Sequence, residues 1–185
     1  MKKKVAVAMS GGVDSSLTAA LLIEQGYDVI GVTMTLSDES REAGGSTAVS
    51  DAKKVADALN IPHYVVNYHK KFKDDVIKYF ISEYAKGRTP NPCVRCNNTV
   101  KFGSLLKDCL ELGADCVATG HYARIEQDEK TGRYLLKKGL DVRKDQSYVL
   151  YTLTQDVLKH FMLPLGNYSK EKTRELAGKN EFTSS

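Results

Sequence analysis

Apolar residues in this chain fall into two kinds of segment that alternate along its length. Residues 4–9, 28–34, 63–66 and 116–119 are short, continuous, β-branched runs, the pattern of strands buried on both faces. Between them, residues 15–25, 49–59, 72–85 and 99–112 carry apolar side chains at helical spacing. Val76, Ile77, Phe80 and Ile81 line one side of the third, and Gly26, Asn60, Gly87 and Gly113 follow the four in turn. The polar, glycine-containing stretch 36–47 reads as a loop. So does 88–98, because Pro90 and Pro92 break regular structure. Residues 124–138, with Lys130-Thr131-Gly132 in the middle, predict a hairpin. The alternation of strand and helix predicts a doubly wound, parallel α/β sheet with helices on both faces. The pattern places one domain over residues 1–166. From Asn167 the chain turns polar, so 167–185 reads as the start of a further region, with 181–185 as a tail.

In such a sheet, ligands bind beyond the carboxyl ends of the strands. The segments to inspect are therefore those after Met9, Met34, Asn67 and Thr119. After Met9 comes Ser10-Gly11-Gly12-Val13-Asp14-Ser15-Ser16, between a strand and a helix. Two glycines allow a tight turn and close backbone approach. The N–H groups at the helix start then face an anion, with the helix dipole adding to the attraction and Ser10, Ser15 and Ser16 offering hydroxyls. The loop lacks the Gly-Lys-Ser/Thr of the Walker type and is not G-x-G-x-x-G. The bland alternative is a glycine turn with Asp14 or Ser15 as the helix N-cap.

Composition changes this picture little. Of 185 residues, 42% are hydrophobic and 27% charged, ordinary for a soluble domain, and the net charge of +4 only mildly favours a polyanionic partner. No apolar run nears membrane-spanning length. The basic start, Met1 to Lys4, leads into an apolar run cut short at Ser10, which reads as a first strand rather than a signal peptide. The expectation is a cytoplasmic protein with no membrane partner. Cys93, Cys96, Cys109 and Cys116 are then expected as reduced, reactive or metal-bound thiols rather than disulfide staples.

Ser-Gly-Gly-Val-Asp-Ser-Ser resembles the pyrophosphate loop of the ATP pyrophosphatases. That resemblance implies the adenine nucleotide alpha hydrolase type of sheet and cleavage of ATP to an adenylate and pyrophosphate. It also implies help from Mg²⁺, with Asp14 placing the metal or pyrophosphate. The superfamily includes synthetases for GMP, NAD, asparagine and argininosuccinate as well as tRNA-modifying enzymes. Later segments choose among these. They are Ile61-Pro62-His63-Tyr64-Val65-Val66, Gly87 through Asn97 with Lys101-Phe102-Gly103, Ala118 through Arg124, and Asp145 through Tyr151. In this order and spacing they resemble the tRNA-specific 2-thiouridylases over roughly residues 4–177.

The resemblance implies that ATP adenylates the C2 oxygen of a wobble uridine in tRNA. A cysteine persulfide, charged by a sulfur-relay donor protein, then delivers sulfur to C2 and AMP leaves. The chemistry is sound: adenylation turns a poor leaving group into AMP, and sulfur is a strong nucleophile at neutral pH. Carried onto this chain, Cys96 and Asp14 are the catalytic candidates. Met9, Ser10, Gly11, Gly12, Val13, Asp14, Ser15, Ser16, Met34, Gly120 and His121 are the nucleotide-binding ones. Arg124, Lys144, Asp145, Gln146 and Ser147 are expected to clamp the adenylate or the tRNA end, although Asp145 with Ser147 also reads as a helix cap. A mobile, proline-containing loop would suit Cys96, with Arg88 and Arg95 lowering its pKa; the plainer reading is a buried structural thiol. Lys137, Lys138, Arg143 and Lys144 form a basic run that suits phosphates. Tyr148 and Tyr151 read as packing residues. Cys109 and Cys116 read as core thiols.

Cys93 completes a Cys-x-x-Cys, where some members of the family have aspartate. Three readings stay open: a helper thiol, a disulfide partner for Cys96, or half of an iron–sulfur or zinc site. A lone Cys-x-x-Cys lacks further ligands, so ATP and Mg²⁺ are the expected cofactors and an iron–sulfur cluster is not favoured. The resemblance also implies a chain about twice as long, with a second catalytic cysteine past this sequence, and no cysteine follows Cys116. The 41–47 segment is short where some relatives carry cysteines. A fragment, a short paralogue resolving on Cys93, or a chain needing a separate partner each fits that departure. Two other readings stand beside thiolation: a pyrophosphatase with a small-molecule acceptor, and a non-catalytic ATP- or tRNA-binding module. The sequence leaves the oligomeric state open.

Overall fold

The computed structural model describes residues 2–36 and 48–179. Strand β1 (Lys4–Ala8) leads through a glycine turn into helix α1 (Val13–Glu24), and β2 (Asp28–Thr35) follows. Helix α2 (Ala48–Ala58) precedes β3 (His63–Asn67). A helical run then passes through α3 (His69–Phe72), a π-helical turn at Lys73–Ile77, and α4 (Lys78–Ala85). Helix α5 (Pro92–Cys96), a π-helix over Asn97–Leu105 and α6 (Leu106–Glu111) form a second continuous run leading to β4 (Cys116–Ala118). The hairpin is β5 (Ala123–Gln127) with β6 (Tyr134–Lys138). Helix α7 (Gln155–Leu158), β7 (Phe161–Met162) and α8 (Lys170–Lys179) complete the described chain.

The main sheet has the order β3-β2-β1-β4-β7, and every pairing in it is parallel. This is the doubly wound α/β arrangement that the alternation predicts. Alternate residues of β1 divide the core. Val5 and Val7 pack with Ala19, Leu22, Ala52 and Ala56 from α1 and α2. Ala6 faces the other way, into a larger cluster with Val100, Phe102, Leu105 and Cys109 from the helical run 92–111. Burial on both faces is why β1 reads as a continuous apolar run rather than an alternating one. No helix among the described residues is long and apolar enough to cross a membrane.

Three sequence expectations give way here. The 88–98 stretch is not an irregular loop throughout. The Asn91 side chain caps α5 by accepting from the backbone N–H of Cys93 (2.9 Å) and Val94 (3.3 Å), and Pro92 takes the first helical turn. A proline there lacks only an N–H that the helix would leave unpaired anyway, so Asn-Pro is a start signal rather than a break. Second, Tyr148 and Tyr151 are exposed, not packed. Third, β7 is a strand too short to show as a pattern; it closes the sheet edge beside β4. The polar segment after Asn167 forms α8, which lies on α1. Leu17 and Leu21 of α1 share a small cluster with Tyr122 and Leu165, and Leu176 of α8 packs against it. The predicted loop at 37–47, the short 41–47 segment and the 181–185 tail lie outside the described residues.

Gly166 is where the hairpin meets the main body. A Cβ there would sit 1.8 Å from the Ala123 carbonyl oxygen and 2.5 Å from its carbon. Both are backbone atoms, so the strand itself has to move. Gly166→Ala should cost roughly 1–3 kcal/mol or more, as overpacked sites do. Gly178→Ala, in α8 with open space around it, should leave the melting temperature unchanged or slightly higher. Thermal unfolding of both variants beside the parent checks the contrast.

Candidate nucleotide and thiol site

The carboxyl ends of β1 and β4 adjoin, and from them the chain departs in opposite directions, toward β2 and toward β7. Neighbouring loops therefore part and leave a crevice at this switch point. The loop after β1 forms one wall. Gly11 takes φ +76°, and a Cβ there would come 2.5 Å from that of Asp51. Gly12 is the N-cap of α1, and no side chain caps it, so the bland alternative with Asp14 or Ser15 in that role does not hold. The first-turn N–H groups of α1 are thus left to a ligand. The buried hydroxyls of Ser15 and Ser16 do not reach out as expected. Each donates to the Gly12 carbonyl at 3.0 Å, and Ser15 Oγ accepts from Ser10 N–H at 3.2 Å. They brace the loop, leaving Ser10 exposed at its tip.

Gly120, after β4, packs so closely on the start of α1 that a Cβ would lie 3.1 Å from Asp14 Cβ. Between these walls lies a cleft of about 250 Å³, lined by Met9, Ser10, Met34, Lys101, His121 and Gln146 among others. Thr33 Oγ1 donates to the Met9 carbonyl at 2.9 Å, and His63 Nε2 lies 2.8 Å from the same hydroxyl. These contacts fix the last residue before the loop.

A second hollow of about 320 Å³ lies on the other side of Asp14, lined by Ser10, Gly12, Val13, Asp14, Lys170 and Arg174. Lys170 Nζ donates to both Asp14 carboxylate oxygens at 2.6 and 2.7 Å, and Tyr122 Oη donates to one at 2.9 Å. Burial, with Asp14 as hydrogen-bond acceptor, raises the Tyr122 phenol well above its ordinary value. Sequence reasoning missed Tyr122, Lys170 and Arg174. The last two lie in the polar C-terminal stretch, far in sequence from the glycine loop, and Tyr122 sits inside a matched motif with no charge to draw attention.

His121 lies deep on the cleft wall, with Nδ1 2.7 Å from Thr119 Oγ1 and its ring 5.8 Å from that of Phe102. Burial, and then the nearby Lys101 ammonium, push its pKa down to about 3. It is a neutral imidazole at physiological pH, suited to hydrogen bonding rather than to charge.

Cys96 is buried at the end of α5, beside Val100 and Phe102 in the core, not on a mobile loop. Its pKa is raised, chiefly by burial, against a lowering by Lys101. The two arginines do not act on it as expected. Arg88 is paired with Glu83 at 2.7 Å. Arg95 donates to the Asp75 carbonyl at 3.0 Å and lies over the Tyr79 ring. Cys93, on the same short helix, is exposed, and both thiols are free. Among the described residues no group of three or more His, Cys, Asp or Glu side chains comes together to hold a metal. Cys109 and Cys116 are buried.

The remaining candidates spread along the rim. Gln146 accepts from the Tyr122 N–H at 3.0 Å. Asp145 accepts from Gly139 N–H at 2.9 Å and from the Ser147 hydroxyl at 2.8 Å, so the pair stabilises its own turn. Arg124 is committed to the hairpin through the Lys138 carbonyl and Glu126. Lys144 lines a hollow of about 560 Å³ with Asp141, Arg143, Lys170 and Arg174, contiguous with the one at Asp14. The structure thus brings the loop, Met34, Gly120, His121 and Gln146 together at one crevice, with Lys144 at its outer edge and Arg124 apart from it.

Residues 3–185 match the model of the tRNA methyl transferase HUP domain family. The chain belongs to that family. It is 58% identical to the "tRNA-specific 2-thiouridylase MnmA 1" of Caldanaerobacter subterraneus subsp. tengcongensis, over 97% of this chain and 51% of that protein. It is 55% identical to the "tRNA-specific 2-thiouridylase MnmA" of Clostridioides difficile, over 96% and 51%. The chain spans about half the length of the curated relatives it matches. Among solved structures, a 4-thiouridine synthetase in complex with RNA and ATP aligns with TM-score 0.63 at 20% identity, over 97% of this chain and 41% of that one. The U34-tRNA thiolase NcsA from Methanococcus maripaludis, with its [4Fe-4S] cluster, aligns with TM-score 0.59 at 23% identity, over 99% and 58%. These two likenesses show the fold alone, a parallel α/β sheet with helices on its faces.

His121 generates a pH prediction. Its folded pKa, about 3, lies below the ordinary histidine value of 6.5. Between those values the unfolded chain binds a proton that the folded chain does not, so stability rises with pH through that window and is lost on acidification. The melting temperature should fall as pH drops from about 6.5 toward 4. His121→Gln should remove part of that slope, and an unchanged slope would mean that His121 titrates normally.

Proposed function

We propose that this chain is the ATP-using domain of a tRNA-uridine 2-sulfurtransferase, acting in the cytoplasm. In this reading it adenylates the C2 oxygen of the wobble uridine, releasing pyrophosphate, and Cys96 then delivers sulfur that arrives as a persulfide from a donor protein. Attack on C2 expels AMP. A second thiol must then break the persulfide bond and pair with Cys96, and Cys93 is the nearest candidate in this chain. The observation that carries the reading is convergence. An uncapped helix start, a neutral histidine, and Lys101 from the helical run that bears the buried thiol all border one cleft. The sequence likeness to the 2-thiouridylases gives that convergence its substrate.

ATP fits the residues present. The adenosine would occupy the cleft between Met34 and His121, and the phosphates would meet the α1 amides, with Lys170 and Arg174 in the adjoining hollow. Mg²⁺ would neutralise phosphate charge, and Asp14 is the carboxylate at hand to hold it. Both Asp14 oxygens rest on Lys170, so holding a metal there means exchanging that contact. Lys144, Arg143 and Arg174 offer positive charge to the tRNA backbone beyond the hollow. An iron–sulfur cluster on Cys93 and Cys96 is not part of this reading.

The test supplies Mg-ATP, a persulfide-charged sulfur-donor protein and unmodified tRNA, and follows AMP and thiolated uridine. AMP should form only with tRNA. Cys96→Ser should abolish thiolation, and Lys170→Met should raise the KM for ATP by about tenfold, the loss of one charged phosphate contact. Thiolation that persists in Cys96→Ser would remove the central claim. AMP formed without tRNA would turn the reading toward a small-molecule acceptor, and no AMP at all toward a binding module.

A further inference from the structure

Among the described residues that line the cleft, Lys101 is a cation with no carboxylate partner. Lys101 is partly buried on the wall of the cleft, and no carboxylate lies within ion-pair distance of it among the described residues. Its neighbours in the cleft carry other commitments. Asp14 is held by Lys170 and Tyr122, and His121 is neutral.

The backbone explains how Lys101 comes to stand there. Cys96 ends α5, and Lys101 follows five positions later, inside the π-helix Asn97–Leu105. An α-helix turns about 100° per residue, so five steps would set the lysine roughly 140° around the axis from the cysteine. In a π-helix the repeat bond runs from i to i+5, so residues five apart fall on the same face. The wider winding therefore returns Lys101 to the face of Cys96 while its ammonium lines the cleft. Such windings are uncommon and collect at functional sites.

We propose that Lys101 is a positioning residue for Cys96: its ammonium is the counter-charge for the sulfur, as thiolate or persulfide, and ties it to the wall of the nucleotide cleft. The inference deepens the thiol-transfer reading above and rests on it for its purpose, though not for its test. Lys101 is the group that lowers the Cys96 pKa, whereas burial and Cys93 raise it. The charges on the elements around Cys96 point elsewhere. On the π-turn that packs against α5, Asp75 pairs with Lys71 and Asp74 with Lys78. Arg95 lies on the Asp75 carbonyl and the Tyr79 ring, and Asp108 of α6 accepts from Tyr68. A buried thiol opposed by its own desolvation needs such a cation to ionise near neutral pH.

The experiment reads Cys96 directly. In a Cys93→Ser background, the rate of iodoacetamide alkylation at Cys96 is followed by peptide mass spectrometry across the thiol range, roughly pH 6 to 10. Lys101→Met should shift the profile to higher pH and slow alkylation at its midpoint roughly tenfold, while Lys101→Arg keeps the parent profile. A profile in Lys101→Met identical to the parent overturns the proposal. So does Lys101→Arg as slow as Lys101→Met, because lost charge would then not be the cause. If Lys101→Met gives no cooperative melt, Lys101→Gln takes its place with the same two outcomes. Alkylation needs neither nucleotide nor tRNA, so it decides on Lys101 even where AMP release fails. Conversely, tRNA-dependent AMP release together with an unshifted Lys101→Met profile would sink this inference alone.

Discussion

The site depends on the parting of two neighbouring strands. At the carboxyl ends of β1 and β4 the chain leaves in opposite directions, toward β2 and toward β7, which opens a gap between the loops. Every functional candidate is placed relative to that gap. The glycine loop forms one lip because β1 ends there, and Gly120 with His121 forms the other because β4 ends beside it. The helical run 92–111 covers one face of the sheet, and this covering helix, not a loop, holds Cys96 in the core and Lys101 on the cleft wall. Moving β4 one place along the sheet would separate nucleotide cleft from thiol without altering a side chain.

Polar groups around the gap divide between holding the backbone and facing the cleft. Ser15, Ser16, Thr33 and Asp145 spend their hydrogen bonds on backbone atoms of the site itself. That is the cheaper arrangement for a buried hydroxyl, since an unmet one costs about 1–3 kcal/mol. Facing the cleft are the first-turn amides of α1 with Ser10, Lys101, His121 and Gln146, beside Asp14, which Lys170 and Tyr122 hold. A phosphate-bearing ligand meets preorganised donors, with little left to order on binding.

Much of this was legible in the sequence. Burial on both faces gives β1, β2 and β4 their unbroken apolar runs, and helical spacing marks α1, α2 and the helices between β3 and β4. The glycine loop announced its own conformation, because Gly11 adopts a φ that few other residues tolerate. What stayed hidden has physical causes. Asn91-Pro92 starts a helix by capping, and residue counting mistakes its proline for a break. The π-helical winding leaves no mark in a pattern read at α-helical period, so Lys101 stood only as part of a matched segment, with no role given to it. Lys170 and Arg174 belong to a polar stretch whose docking depends on Leu17 and Leu21 of α1, over a hundred positions away.

The ion pair between Lys170 and Asp14 joins residues 156 positions apart. Closing so long a loop costs entropy that local contacts cannot return, and such contacts form late in folding. The glycine turn and α1 are local and can form early, whereas the cation that balances Asp14 arrives only when α8 docks. Until then the loop carries an uncompensated carboxylate that repels a polyphosphate. Under the proposed reading, a chain whose α8 has not docked is a poor nucleotide binder.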